Sequence, residues 1–139
     1  MSNLFIDSIK VIDIPKIHDE RGNISVLEKD ILPFPFKRVY YLYDIPSGTY
    51  RGGHAHKEQK EFLIALSGSF NVIMQDENGA KKNVTLNKPN QGLLIPNMIW
   101  RELENFSSGA VCLVLASDVY NEKDYIRSFE KFTSIKKQY

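Results

Sequence analysis

The chain concentrates its chemistry in residues 48–68, which read GTYRGGHAHKEQKEFLIALSG. His54 and His56 stand two apart, and residues i and i+2 of an extended strand point to the same face. Both imidazoles are therefore expected to enter one space. Arg51 precedes them, and the glycines at 52 and 53 allow the backbone to approach a ligand. The apolar run that follows predicts a further strand, so the stretch indicates β-structure that carries a site.

Short strand patterns and turn signals alternate along the rest of the chain. The sequence DENG at 76–79 predicts a hairpin turn, and aromatic side chains at helical spacing predict a helix over 122–132. Many short strands with regular turns indicate an all-β sandwich or barrel, here one domain over 1–139, with room inside a barrel for a small ligand. The predicted strands are 9–14, 24–28, 38–44, 61–66, 69–75, 81–86, 93–96, 100–106 and 111–116.

The composition is that of an ordinary soluble globular protein, with 42% hydrophobic and 25% charged residues. The net charge of +1 gives no overall field for nucleic acid or an anionic membrane, so neither is an expected partner. No apolar run approaches the roughly 18 residues that a membrane-spanning helix needs. The single cysteine, Cys112, lies in an apolar run and is expected to be a buried thiol. We expect a cytoplasmic protein.

The histidine stretch resembles the first cupin motif, Gly-x5-His-x-His-x4-Glu-x6-Gly. The matching positions are Gly48, His54, His56, Glu61 and Gly68. In the metal-binding cupins that share this pattern, both histidines and the glutamate are ligands. The resemblance implies a cupin jelly-roll β-barrel, here with a short C-terminal helix.

The second cupin motif, which supplies a fourth ligand histidine, is only partly present. Its proline and its final asparagine align with Pro96 and Asn105, but its histidine position is Arg101. A guanidinium is permanently charged and has no lone pair to give a cation. The sequence therefore predicts no metal, although three ligands and an open position would suit a catalytic metal.

Three segments resemble one subgroup, the sugar 3,4-ketoisomerases or WxcM-like, FdtA-type cupins. They are RGGHAHK at 51–57, IPNMIWRE at 95–102 and ASDVYNEKDYIR at 116–127. The resemblance implies an isomerase that moves the ketone of dTDP-4-dehydro-6-deoxy-D-glucose from carbon 4 to carbon 3 through an enediol, in deoxy-amino-sugar biosynthesis. It also implies a homodimer through shared N-terminal strands, and a reaction that needs no metal or other cofactor.

The resemblance assigns acid–base catalysis to His54 and His56, and a group that titrates near pH 7 suits both proton transfers. An enediolate also needs a hydrogen-bond donor. Tyr41 and Tyr43 share one face of the strand at 38–44, and we expect that face to point inward, because Tyr40 and the leucine beside it would suit a packed sheet face.

The remaining candidate residues would bind the substrate. Arg51 and Arg101 can pair with the diphosphate, and Gly53 lets the backbone approach it. Trp100 could stack on the base. Glu61, without a metal to bind, could orient a histidine or reach the sugar.

Three alternatives remain at this level. A dTDP-sugar 3,5-epimerase also removes a proton beside a 4-ketone, but the chain is short for that class. A non-catalytic sugar-binding cupin would explain the missing second-motif histidine. A metal-dependent cupin enzyme would explain why His54, His56 and Glu61 are in register. The stereochemistry of the product, ribo or xylo, is not predicted.

Overall fold

The computed structural model describes residues 4–28, 30–32 and 34–137, and nearly half of these residues form antiparallel strands. Two short helices, α1 and α2, lie at Leu4–Asp7 and Phe129–Lys137, and a 3-10 helix lies at Glu122–Asp124. The strands are β1 (Val11–Asp13), β2 (Lys16–Asp19), β3 (Gly22–Ser25), β4 (Arg38–Leu42), β5 (Arg51–His56), β6 (Glu61–Ser67), β7 (Phe70–Gln75), β8 (Lys81–Leu86), β9 (Gln91–Ile95), β10 (Trp100–Glu104), β11 (Val111–Ala116) and β12 (Tyr125–Ile126).

Ten of the strands form two five-stranded sheets. The first sheet has the order β1-β9-β6-β11-β4, and the second has the order β12-β5-β10-β7-β8. The largest apolar core takes side chains from both sheets, including Leu63 and Val114 from the first and Val72 and Leu103 from the second. The predicted all-β class with a short C-terminal helix is confirmed.

The N-terminal segment was predicted less accurately than the sheets. The turn expected at residues 18–23 is the end of a hairpin in which β2 pairs with β3, from Lys16 opposite Ser25 to Asp19 opposite Gly22. Every residue of this hairpin is exposed, including Ile17. The hairpin forms a sheet of its own, separate from the two larger sheets.

The helix predicted over 122–132 is also wrong in its position. In β12, Tyr125 pairs with His56 and Ile126 pairs with Ala55, so this part of the tail extends the second sheet. The α-helix begins only at Phe129, and Phe132 packs in a small core with Trp100 and Ile126. Strand pairing overrides the helical spacing of the aromatic residues here, because the hydrogen bonds of the sheet satisfy the backbone groups that lead into the helix.

The histidine strand lies between two partners. Strand β5 pairs with β10 on one side, where His54 is opposite Arg101, and with β12 on the other. Gly52 has a positive φ of 98°, and a Cβ at this position would lie 3.1 Å from the carbonyl oxygen of Arg101. A glycine is therefore required where β5 lies against the backbone of Arg101 in β10, next to an irregularity in the register of the two strands.

In the part of the chain that the structure describes, neither helix has the length and apolar character to cross a membrane.

Candidate active site

The two histidines of β5 lie side by side with their Nε2 atoms unpaired. Their ring centroids are 4.8 Å apart and their planes are nearly perpendicular, at 86°. The Nδ1–H of His54 donates to the carbonyl oxygen of Gly52 at 2.8 Å, and the Nδ1–H of His56 donates to Oδ2 of Asp124 at 3.1 Å. Each partner is an acceptor, so each ring carries its proton on Nδ1. Both Nε2 atoms are buried without a hydrogen-bond partner among the described residues, and each offers a lone pair.

Both imidazoles are neutral bases at pH 7. Burial lowers the pKa of His54 to about 4, and the positive charge of Arg101 acts in the same direction. Burial and Arg101 also lower the pKa of His56, while Glu61 and Asp124 oppose that shift. The two rings therefore differ in their surroundings: His56 has two carboxylates near it, and these would stabilise its protonated form.

Glu61 is the centre of a buried hydrogen-bond network. Its Oε1 accepts from Nη1 of Arg101 at 2.6 Å, and its Oε2 accepts from the Tyr40 hydroxyl at 2.6 Å and from the Gln59 amide at 2.9 Å. The Nε2 of His56 lies 3.7 Å from the same Oε2. Burial favours the neutral acid, but Arg101 and the other donors hold the pKa of Glu61 below its ordinary value. Glu61 is thus an ionised carboxylate whose two oxygens are already engaged.

A cavity of about 290 Å³ lies between the two sheets beside these groups. Arg51, Gly52 and His54 reach it from β5, and Arg101 reaches it from β10. Four arginines and one glutamate are among its lining residues, so the lining carries a net positive charge. The full lining is Arg38, Tyr40, Leu42, Arg51, Gly52, His54, Glu61, Leu63, Arg101, Leu103, Val114, Tyr120, Tyr125 and Arg127.

The tyrosine face was predicted wrongly. Tyr41 and Tyr43 are 59% and 61% exposed on the outer side of β4, where their rings contact each other, and neither lines the cavity. Tyr40 and Leu42 point inward instead. The alternation along the strand was right, but its direction was reversed, because the buried hydroxyl of Tyr40 has Glu61 as a partner inside.

Two further substrate-binding predictions differ from the structure. Trp100 is only 5% exposed and lies outside the cavity, packed against Phe129 and Phe132, so its face is not available to a base. Gly53 does not line the cavity, whereas Gly52 does. His54, Arg51, Arg101 and Glu61 all reach the cavity as the sequence suggested. His56 contacts the ring of His54 but does not itself line the cavity.

Sequence reasoning gave no role to several residues that the structure places here. Tyr125 contacts both imidazoles, with ring centroids 5.1 Å from His54 and 4.4 Å from His56. Asp124 bonds to His56, and Arg127 stacks over Tyr125 at 4.3 Å. The signal was the segment ASDVYNEKDYIR at 116–127, which carries part of the resemblance but has no recognisable metal or catalytic spacing of its own.

The three residues at cupin ligand spacing do not fit a resident metal ion. Ligand atoms of His54, His56 and Glu61 lie within 4.8 Å of one another. However, Arg101 brings a permanent positive charge to this point and occupies one oxygen of Glu61, and Tyr40 and Gln59 occupy the other. Of the three candidate ligands, only the two imidazoles keep a free ligand atom, and the third is bound to a guanidinium.

Two packed antiparallel sheets around a histidine pair define a cupin-type protein. The family model described as FdtA, "WxcM-like, C-terminal", matches residues 7–137. A TDP-4-oxo-6-deoxy-alpha-D-glucose-3,4-oxoisomerase from Aneurinibacillus thermoaerophilus is 44% identical over 124 residues, which are 88% of each chain. The chain therefore belongs to the WxcM-like family, the dTDP-sugar 3,4-ketoisomerases.

Solved structures agree with this family. A 3,4-ketoisomerase from Helicobacter canadensis is 42% identical with a TM-score of 0.88, over 92% of this chain and 96% of that one. The sugar 3,4-ketoisomerase QdtA from Thermoanaerobacterium thermosaccharolyticum, in complex with TDP, is 37% identical with a TM-score of 0.90, over 94% and 95% of the two chains. A mutant of QdtA has been solved with TDP-4-keto-6-deoxyglucose. A dTDP-4-dehydrorhamnose 3,5-epimerase from Bacillus anthracis is only 16% identical, over 85% of this chain and 77% of that one, with a TM-score of 0.76, and shows the fold alone.

Proposed function

We propose that the protein converts TDP-4-keto-6-deoxyglucose into the corresponding 3-keto sugar. The observation that carries this proposal is the bare, buried Nε2 of His54, a residue that lines the cavity together with four arginines. A neutral base beside strong positive charge suits the removal of a proton next to a ketone. The relatives named above support the choice of substrate.

The reaction moves one carbon-bound proton and one oxygen-bound proton. A base removes the proton from carbon 3, and the electrons of that C–H bond form a C3=C4 double bond while the C4 carbonyl becomes an enediolate oxygen. A proton then reaches carbon 4, the double bond opens, and the hydroxyl on carbon 3 loses its proton to become the new ketone. The oxygen on carbon 4 ends as a hydroxyl. No external oxidant is required, because carbon 3 is oxidised as carbon 4 is reduced.

In this scheme His54 and His56 have different tasks. His54 lines the cavity and its Nε2 is the base that meets the proton on carbon 3. His56 is almost completely buried behind it, next to Glu61 and Asp124, whose charges favour the protonated imidazole. His56 is therefore suited to hold a proton during the reaction, and the perpendicular contact of the two rings keeps both near the sugar.

Arg101 and Arg51 would act on the two negative parts of the substrate. Arg101 lines the cavity and has N–H groups beyond those bound to Glu61 and to the carbonyl of Ile99, so it can stabilise the enediolate. Arg51 is exposed where β5 begins, and there it can pair with the diphosphate. A cavity of about 290 Å³ suits the sugar, with the nucleotide at its mouth.

The direct test is NMR of the purified protein with TDP-4-keto-6-deoxyglucose in deuterated buffer. We expect a new ketone at carbon 3 and solvent deuterium on carbon 4 of the product. The His54→Asn and His56→Asn variants should each lose roughly two to four decades in turnover. Exchange and inversion at carbon 5 would identify an epimerase instead, and binding by calorimetry without turnover would identify a sugar-binding protein.

We also propose that the protein is a homodimer in which the hairpin β2–β3 packs on the partner. The hairpin forms a separate two-stranded sheet, and the side chains of Ile17 and Ile24 on it are exposed. Strand β4 is an outer strand of the first sheet and exposes Val39 and Tyr41, and Tyr43 just after its end is exposed as well. Two exposed apolar surfaces on one chain, one of them beside a sheet edge, support the exchange or sharing of strands between two copies.

Sedimentation equilibrium tests this dimer. We expect twice the chain mass for the native protein, and one chain mass for an Ile17→Glu, Ile24→Glu double variant. Thr85→Glu, on the exposed face of β8, is the matched control and should remain dimeric. A native protein with the mass of one chain would refute the proposal. The cytoplasmic location predicted from the sequence stays a prediction.

A further inference from the structure

Asp124 connects the C-terminal segment to the catalytic strand. It ends the 3-10 helix at Glu122–Asp124, and 68 residues separate it from His56 in the sequence. Its Oδ2 lies 3.1 Å from Nδ1 of His56, and its side chain is only 12% exposed. The contact therefore joins a buried imidazole to a carboxylate that is largely protected from water, and it lies on the side of the ring away from Glu61.

A carboxylate with this geometry controls which nitrogen of His56 carries the proton. Ionised aspartate only accepts hydrogen bonds, so Nδ1 must donate, and the lone pair is left on Nε2. That Nε2 has no partner among the residues described and lies on the Glu61 side of the ring. In His54 the same tautomer is set by the backbone carbonyl of Gly52, which no side-chain substitution removes. The tautomer of His56 depends on a replaceable side chain.

The carboxylate itself is held in place by the turn that follows β5. The backbone N–H of Glu58 donates to its Oδ1 at 2.8 Å, and the N–H of Gln59 donates to its Oδ2 at 3.2 Å. The N–H of Lys57 donates to the backbone carbonyl of Asp124 at 2.9 Å. Three successive N–H groups therefore fix Asp124, and the strand pairing of Tyr125 with His56 fixes the next residue.

We propose that Asp124 is a positioning residue for the isomerisation: it holds His56 in the Nδ1–H tautomer and so keeps a lone pair on Nε2 at the active site. The inference rests on the proposed function for its kinetic consequence. Its structural content, the tautomer, does not depend on that function.

The decisive variant is Asp124→Asn, which keeps the shape and removes the charge. With its NH₂ group in the place of Oδ2, Nδ1 of His56 accepts and Nε2 carries the proton, which removes the lone pair. The N–H of Gln59 loses its acceptor in the same change. We expect kcat to fall on the order of 10²- to 10⁴-fold, as for other histidines held in the wrong tautomer, and KM to change by less than about threefold. In ¹⁵N NMR spectra, His56 should change from the Nδ1–H to the Nε2–H form.

A matched control separates this role from simple support of the turn. The Asn97 amide donates to the backbone carbonyl of Lys57 at 2.9 Å, so Asn97→Ala removes a hydrogen bond from the same turn without touching His56. We expect it to leave kcat and the His56 tautomer unchanged. An equal loss of kcat in both variants, or a loss in Asp124→Asn with the native tautomer retained, would overturn the proposal.

Spectra of the native protein give a test that needs no variant to fold. We expect His56 to be protonated on Nδ1 and bare on Nε2 near neutral pH, and an Nε2–H form would overturn the inference. Failure of the proposed function is recognised separately, because the native protein would then not convert the keto sugar while the tautomer measurement would still stand.

Discussion

Arg101 donates from Nη1 to Oε1 of Glu61 at 2.6 Å, and both side chains are almost completely buried. Glu61 occupies the glutamate position of the first cupin motif and Arg101 the histidine position of the second. An ion pair thus stands where a metal-binding cupin has two of its ligands. The spacing of the motif is retained, but its glutamate binds the Arg101 guanidinium instead of a metal ion.

The first prediction concerns the stability of this ion pair. Replacing Arg101 by Met leaves the Glu61 carboxylate buried without its main counter-charge, so we expect a loss of about 3–5 kcal/mol in the free energy of unfolding. Urea unfolding followed by circular dichroism measures it. Arg127→Gln is the matched control, since its ion pair with Glu122 is exposed to solvent and should contribute little to stability. Equal losses in the two variants would contradict this account.

The second prediction concerns metal removal. Because both oxygens of Glu61 are engaged by protein donors, we expect turnover of the keto sugar to be unchanged after dialysis against EDTA. Kinetics before and after dialysis, with elemental analysis of protein purified without chelators, provide the measurement. A stoichiometric transition metal whose removal abolishes activity would restore the metal-dependent alternative.

The third prediction compares two neighbouring tyrosines on opposite faces of β4. Tyr40→Phe removes a hydrogen bond to the buried Glu61 carboxylate, so we expect a loss of about 1.5–3 kcal/mol in stability together with lower turnover. Tyr41→Phe alters an exposed ring and should stay within about 0.5 kcal/mol of the native protein. Unfolding curves and initial rates of the pair decide. A greater loss of stability or turnover in Tyr41→Phe than in Tyr40→Phe would contradict the role given to the Tyr40–Glu61 hydrogen bond.

The fourth prediction is a loss of stability at mildly acidic pH. The pKa of His54 is about 4 in the folded protein and ordinarily about 6.5, so the unfolded chain binds more protons between these values. The free energy of unfolding should therefore fall as pH decreases from about 6.5 to 4, by on the order of 3 kcal/mol from this residue at about 1.4 kcal/mol per pKa unit. His56 adds a change of the same sign.

Urea titrations at several pH values measure this slope. We expect His54→Gln to flatten it, and His18→Gln, which removes the exposed imidazole of the hairpin, serves as the control. The same slope in His54→Gln as in the native protein would show that the acid sensitivity arises elsewhere.

The fifth prediction concerns the mouth of the cavity. Arg51 is exposed and pairs with the diphosphate in our proposal, so Arg51→Gln should raise KM about tenfold and change kcat much less. Lys81→Gln removes an exposed charge from β8, outside the cavity, and should leave both constants unchanged. A fall in kcat with constant KM would place Arg51 at the reacting atoms instead.

The sequence was informative where one periodicity dominates. Strands β8 and β11 have the predicted bounds, and the i, i+2 spacing placed His54 and His56 together as expected. These features depend on local alternation, which a strand imposes on its own residues. The substitution of Arg101 for a histidine also indicated correctly that a charged group would reach this site.

What the sequence could not provide depends on long-range partners. The inward face of β4 was reversed, because the partner that draws Tyr40 inside, Glu61, comes from another strand. The link from Asp124 to His56 spans 68 residues, and the helical spacing of the aromatic residues around Asp124 pointed to a helix where the chain pairs as a strand. Neither choice is encoded by a pattern within one element.

The pairing of β12 with β5 makes the second sheet complete only when Tyr125 and Ile126 are in place. Ribosomes make the histidine strand well before Tyr125 and Ile126, and folding tends to follow synthesis from the N-terminus. Until those two residues emerge, β5 has no neighbour on one side, and its free N–H and C=O groups can recruit a strand of another nascent chain. Strand β12 therefore protects this edge, and Asp124 directly precedes it. A chain that stalls on the ribosome before this segment would combine an unprotected strand edge with a His56 that lacks its carboxylate partner.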